Sequence, residues 1–246
     1  MTGRKCRKRV IRGFPGGVFG RNRGDFKPLP EQFTLEYLKL CPPPAHATRN
    51  RQREFTMPEA IDLLKTRRSV KPIELSGPGP TADELSTLLT IASRVPDHGK
   101  LTPWRFIVFE GEARLKAGAK IAEVFKLNRP EATPDQVEME GKRLARAPLV
   151  IAVISRAGPH VKIPEWEQVL SAGAAATSLV FASHALGFAA TWLTEWYAYD
   201  RRVLDALGLA PNEKIAGFVH IGRPAKPSED RPRPPLNDIV TRYGAN

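Results

Sequence analysis

Beyond residue 56 the spacing of apolar positions changes several times, and each change marks an element. Met57, Ala60, Ile61 and Leu64 fall at i, i+3, i+4 and i+7, the repeat of a helix with one apolar face. Thr56-x-x-Glu59 stands at its start in the pattern of a capping box. This spacing runs into Arg67-Arg68-Ser69. Residues 76–80 read Ser-Gly-Pro-Gly-Pro, a turn-rich break. Thr81-x-x-Glu84 then opens a second helix with Leu85, Leu88, Leu89 and Ala92 on one face. That helix must stop before Pro96, which has no N–H to donate. Residues 96–99 form a loop, and the aromatic and β-branched run 104–109 predicts a strand.

The second half continues the mixture. Residues 112–127 and 134–147 carry helical spacing. Residues 149–154 are uninterrupted apolar side chains, as in a central strand covered on both faces. Residues 165–186 predict a long helix of Ala, Ser, Gly and Leu, small enough for another helix to approach closely, with Gly187 as its stop. Strands are predicted at 188–193 and at 215–221, the latter ending at Gly222, with a short helix around Val203, Leu204 and Leu207 between them. The Pro-rich stretch 224–235 must be extended, and a last strand or hook follows over 236–243. Strands and helices mix without regular βαβ alternation, which predicts an α+β layered domain rather than a doubly wound sheet.

Composition narrows the chemistry. The 246 residues are 41% hydrophobic and 26% charged, ordinary for a globular protein. The net charge of +12 is unevenly placed: residues 1–56 hold 13 basic and 4 acidic side chains, a net +9, leaving +3 for the rest. A nearly neutral body argues against a polyanion partner for the domain itself. Both cysteines, Cys6 and Cys41, lie in the leading segment. The body therefore has no disulfide, thiolate metal site or cysteine nucleophile.

Residues 1–56 are rich in Arg, Gly and Pro and offer little apolar surface to bury, so they are expected to be a disordered basic extension. They could also be a stretch upstream of a natural start at Met57, a targeting peptide without a secretory core, or an arm that binds nucleic acid. The domain is expected to span 57–246. It carries no run of about 18 apolar residues, so no membrane helix is expected, and a cytoplasmic location follows.

Common catalytic signatures are missing. There is no G-x-G-x-x-G after a strand, no phosphate-binding Gly-Lys-Ser/Thr loop, no G-x-S-x-G elbow and no H-E-x-x-H pair. No metal site is expected. What stands out are two Arg-bearing segments beside hydroxyl or imidazole donors, Arg67-Arg68-Ser69 and Arg94-x-Pro96-Asp97-His98, and a third segment, Trp192-Leu193-Thr194. Guanidinium groups present a fork of donors matched to an anion such as phosphate. The plainer reading is that such arginines are solvated helix ends, which suit the negative end of a helix dipole.

These segments, together with Pro103-Trp104-Arg105-Phe106, the entry 147–151, Pro164-x-Trp166-Glu167-Gln168, Ser171-Ala172-Gly173 and Lys214-Ile215-x-Gly217-Phe218, follow an order and spacing that resembles the nitroreductase family of small single-domain NAD(P)H-dependent proteins. The resemblance covers about 57–243. It implies a three-layer α+β domain with a central mixed, mainly antiparallel sheet flanked by helices. It also implies an intertwined homodimer with FMN at the subunit interface.

Carried over by position, the resemblance makes Arg67, Arg68 and Ser69 contacts to the phosphate and polar edge of FMN. Arg94 and His98 become contacts supplied across the dimer. Trp192, Leu193 and Thr194 line the flavin, and Gly222 and Arg223 approach the phosphate. Close relatives read Trp-Arg-Ser at the third segment; Leu193 removes that charge and leaves a backbone contact. The small-residue helix 165–186 becomes the dimer helix. NADH or NADPH would deliver hydride to flavin N5, with Arg68 and Ser69 near N1, and a nitroaromatic or quinone would follow in a ping-pong cycle. No protein side chain is then the catalytic group. An FMN-binding store or sensor, and nucleic-acid binding by the basic arm, are the other readings.

Overall fold

The computed structural model describes residues 59–226 and 228–244. In chain order the elements are α1 (Ala60–Thr66), β1 (Leu75–Ser76), α2 (Ala82–Ala92), β2 (Trp104–Glu110), α3 (Glu112–Asn128), α4 (Pro134–Gly141), β3 (Leu149–Ser155), α5 (Glu165–Ala185), β4 (Ala189–Leu193), α6 (Arg201–Ala206), β5 (Lys214–Pro224) and α7 (Leu236–Ile239). The expected capping residue Thr56 lies outside the described residues.

The strands order as β2-β3-β5-β4, with β1 pairing the far end of β5. All four pairings among the described residues are antiparallel. β3 is buried along its whole length, and its two faces feed two cores. Leu149, Ile151 and Val153 face α2 and α5 with Leu88, Ala172, Ala176 and Leu179. Val150, Ala152 and Ile154 face α3 and α6 with Ile121, Tyr197, Val203 and Phe218. Three layers result, because a continuous apolar strand must be covered on both sides.

Local chemistry sets the boundaries. Thr81 and Glu84 close the predicted capping box: the Glu84 N–H donates to Thr81 Oγ1 at 3.3 Å and the Thr81 N–H donates to Glu84 Oε2 at 2.7 Å. Thr133 and Gln136 build the same box at α4.

Three expectations are corrected. The single helix over 134–147 is α4 followed by a tighter turn at Arg143–Arg146, because Lys142 leaves helical geometry (φ −90°, ψ 0°). β5 does not end at Gly222 but continues to Pro224, since Arg223 and Pro224 pair with Ser76 and Leu75. The last segment, expected as a strand or hook, holds a four-residue helix, α7. Pro235 precedes its first turn, where a missing N–H costs nothing.

Candidate functional site

α1 ends at Thr66, and the chain then extends across the end of α5. The backbone of Arg67 is already extended (φ −56°, ψ 143°), and the Val70 N–H donates to the Ala190 carbonyl of β4 at 3.4 Å. This docking carries Arg67 and Ser69 to the exposed side of α5. There they line a cavity of about 290 Å³ with Thr177, Val180, Phe181 and Trp192. The Arg67 guanidinium lies over the Phe181 ring, 5.6 Å from its centroid, within range of a cation–π contact.

Trp192 forms the opposite wall. Its Nε1 donates to the Ala216 carbonyl at 3.1 Å, and the ring remains 40% exposed. Next to it, Thr194 Oγ1 accepts from the Tyr199 hydroxyl at 2.8 Å. Glu195 then anchors the end of the segment by accepting from Arg143, Arg146 and Tyr197. Burial works against the Glu195 charge, yet the hydrogen bonds from Tyr197 and Arg146 hold its carboxyl below the usual range.

The electrostatics favour an anion. Among the described residues Arg67 has no carboxylate within ion-pair distance. Burial first, then the charges of Arg233 and Arg68, lower its pKa from its ordinary value. A guanidinium stays protonated under such pressure, so positive charge accumulates here unneutralised. His184, beneath the same corner, is pushed down to about 4 by burial and by Arg67, against the pull of the Ala190 carbonyl.

Arg68 is engaged elsewhere: its Nε donates to the Glu229 carbonyl at 3.1 Å and lies 3.8 Å from Asp230 Oδ1. It pins the C-terminal segment over a second cavity of about 260 Å³, lined by Ser69, Lys71, Glu74, Lys226, Ser228 and Glu229. Ser69 is common to both cavities. Gly222 is buried and Arg223 exposed at the end of β5, where the Arg223 guanidinium sits 4.7 Å from the Phe188 centroid.

Arg94 and His98 are not brought to this corner within one chain. Arg94 is exposed after α2, and His98 hydrogen-bonds Glu167 in the first turn of α5. Glu167 and Phe181 are 14 positions apart on α5, roughly 21 Å at about 1.5 Å per residue. One chain therefore presents two separated clusters at opposite ends of one helix. Along the same helix α5 exposes Trp166, Val169 and Leu170, followed by the half-buried Gly173, Ala174 and Thr177.

Sequence reasoning missed Thr177 and Phe181, which look like ordinary positions of a small-residue helix, and Lys71 and Lys226, which belong to no motif. Glu167 was visible in its motif but not as the partner of His98.

The family model named Nitroreductase family matches residues 64–223 of this three-layer α+β fold. The chain belongs to the nitroreductase family. The Escherichia coli protein named "Putative NAD(P)H nitroreductase YdjA" is 35% identical over 168 residues, 68% of this chain and 88% of its own length. Among solved structures, a nitroreductase-like family protein of Bacillus cereus superposes with a TM-score of 0.65 at 22% identity, over 77% of this chain and 98% of its own. A "putative nitroreductase" of Desulfovibrio desulfuricans, solved in complex with FMN, gives 0.59 at 22% identity, over 78% and 100%.

Proposed function

We propose that this chain is an FMN-dependent oxidoreductase that takes hydride from NADH or NADPH and reduces nitroaromatic or quinone-type acceptors, working as a homodimer in the cytoplasm. The observation that carries this reading is the meeting of Arg67, Ser69 and Trp192 around one cavity with an apolar wall and a cationic rim. An aromatic wall of Phe181 and Trp192 suits a flat ring system, and crowded guanidinium groups suit a phosphate tail. The relative in Escherichia coli is named for NAD(P)H, and the Desulfovibrio neighbour was solved with FMN.

The residues would divide the work as follows. Arg67 supplies unneutralised positive charge at the anionic end of the ligand. Ser69 donates from its hydroxyl at the junction of the two cavities, and Lys71 and Lys226 add charge on the polar side. Trp192 and Phe181 orient the ring and exclude water from it, while the backbone of Leu193 and Thr194 offers donors and acceptors. Gly222 and Arg223 close the end near β1.

A cavity of about 290 Å³ stands at the bottom of the usual range for small-molecule sites, roughly 300–1,000 Å³. The rest of the site comes from a second copy. Two α5 helices packed antiparallel through Trp166, Leu170, Gly173 and Thr177 would place the Arg94–His98 end of one beside the Arg67–Phe181 end of the other. Bound FMN would supply the redox chemistry, accepting hydride from the nicotinamide and passing two electrons to the acceptor in a ping-pong cycle.

The purified protein is expected to be yellow or to become so with added FMN, and to bleach when NADH or NADPH is added without oxygen. Reoxidation by a nitroaromatic or quinone would complete the cycle. A flavin that binds but stays oxidised leaves an FMN-binding store or sensor; a chain that ignores FMN removes the reading.

A further inference from the structure

The loop that carries His98 is built with more constraint than a surface connection needs. Asp97 accepts from the Leu101 N–H at 3.0 Å through Oδ1 and from the Thr102 N–H at 2.8 Å through Oδ2. Within this clamp Gly99, Lys100 and Thr102 all have positive φ, of 70°, 56° and 48°. For Lys100 and Thr102 that conformation is costly and persists only where its surroundings impose it. The base of the loop is tied to α5: Ser171 Oγ donates to the Pro96 carbonyl at 2.7 Å and accepts from Trp104 Nε1 at 3.1 Å. The net effect is a rigid mount for one side chain, His98.

His98 Nδ1 lies 2.7 Å from Glu167 Oε2. A carboxylate only accepts, so Nδ1 carries the proton in this pair. The tautomer is thereby fixed, and Nε2 is left unprotonated in the neutral ring, turned away from Glu167. The two side chains are 63% and 46% exposed in one chain, so the bond contributes little to folding. Strain spent on a contact with little stabilising value points to a role outside the chain's own fold.

We propose that Glu167 is a positioning residue: it acts through His98, fixing the ring's orientation and Nδ1–H tautomer so that Nε2 faces the half-site of a second copy. This rests on the reading of that half-site as an FMN site. Glu167 itself touches no ligand.

The test combines ring-nitrogen NMR with FMN titration of the full-length chain. In wild type the neutral His98 is expected to show the Nδ1–H tautomer. Glu167→Gln keeps an acceptor oxygen and should keep that tautomer; Glu167→Ala should lose it. FMN affinity should fall about tenfold in Glu167→Ala, recover in Glu167→Gln, and be insensitive to Glu167→Ala in a His98→Ala background, the mark of two residues acting as one. Melting temperatures should stay within about 2 °C of wild type, as for an exposed pair, which separates positioning from misfolding. An Nε2–H tautomer in wild type, or an equal loss of affinity with and without His98, overturns the proposal. Wild type that takes up no FMN overturns the flavin reading and this proposal with it. Wild type that binds FMN no better than Glu167→Ala overturns this proposal alone.

Discussion

The indole of Trp192 occupies the space that a side chain at Gly217 would fill: a Cβ built at 217 would lie 1.8 Å from the indole Nε1. Trp192 stands in β4 and Gly217 in β5. With no Cβ in the way, the ring can lie across β5 and donate to the Ala216 carbonyl. Gly217→Ala should therefore expel the ring from its seat. Overpacking of this kind costs about 1–3 kcal/mol of stability, and FMN affinity should fall with the displaced ring. A red-shifted tryptophan emission together with weaker FMN binding is the expected result; unchanged emission would show that the ring does not depend on that glycine.

Arg67 has the opposite character, since its charge is a burden to the fold itself. Its pKa is lowered by burial and by neighbouring Arg233 and Arg68, so removing the charge relieves repulsion. Arg67→Ala is expected to leave the melting temperature of the FMN-free protein unchanged or slightly raised. FMN affinity should drop about tenfold to a hundredfold, the scale of one charge-assisted hydrogen bond at about 1.5–3 kcal/mol. Scanning calorimetry beside fluorescence titration would separate the two effects. A variant that melts well below wild type would mark Arg67 as a structural clamp, the role its neighbour Arg68 takes toward Glu229.

The exposed face of α5 makes a prediction about assembly. Trp166 is 69% and Leu170 53% exposed on a helix whose other face is buried. Contiguous apolar side chains of this kind mark an interface. If two copies pair through this face as proposed, Leu170→Lys should give a monomer in sedimentation equilibrium and weaken FMN binding at the same time, because the proposed Arg94–His98 contribution of the second copy would then be missing. A monomeric variant that binds FMN as tightly as the dimer would show that one chain suffices.

The parts of this architecture legible in the sequence are those fixed by short-range chemistry. The capping box at Thr81 and Glu84, the continuous apolar run that becomes β3, and the small-residue composition of α5 each announce themselves within a few residues. The extension of β5 to Pro224 was not legible, because its partner β1 is only two residues long and has no periodicity to read. The segment after Pro235 misled for a related reason. Leu236, Ile239, Val240 and Tyr243 are spaced as on a helix but stay exposed, so apolar content alone suggested a strand or hook. At the site, Arg67, Ser69 and Trp192 came from motif order, and the cavity joins all three. The pairing of His98 with Glu167 spans 69 residues and exists only once α5 has docked, so no local pattern encodes it.

Two buried imidazoles give the fold a pH dependence whose sign can be worked out. His220 is fully buried in β5, aligned with Val150 on one side and Thr191 on the other, and neither ring nitrogen has a hydrogen-bond partner among the described residues. Burial, aided by the Arg146 charge and opposed by Glu195, pushes its pKa down to about 4 from the ordinary 6.5. His184 is pushed to about 4 as well, by burial first and Arg67 second. In both cases the folded pKa lies below the unfolded one, so between pH 6.5 and 4 the unfolded chain binds more protons. Stability is then full above about pH 6.5, declines as the pH falls, and levels off below 4. The loss is about 3 kcal/mol for His220, from about 1.4 kcal/mol per pKa unit. Glu213 stays out of this window, since the hydrogen bond from Arg105 holds it at about 2 and its contribution is lost only below about pH 4.5. Urea denaturation of the FMN-free protein at pH 7.5, 5.5 and 4.5 should show a falling midpoint, and His220→Leu should flatten the trend. A midpoint constant across that range would mean that these rings are hydrated or paired in solution and that the sealed packing around β5 is wrong.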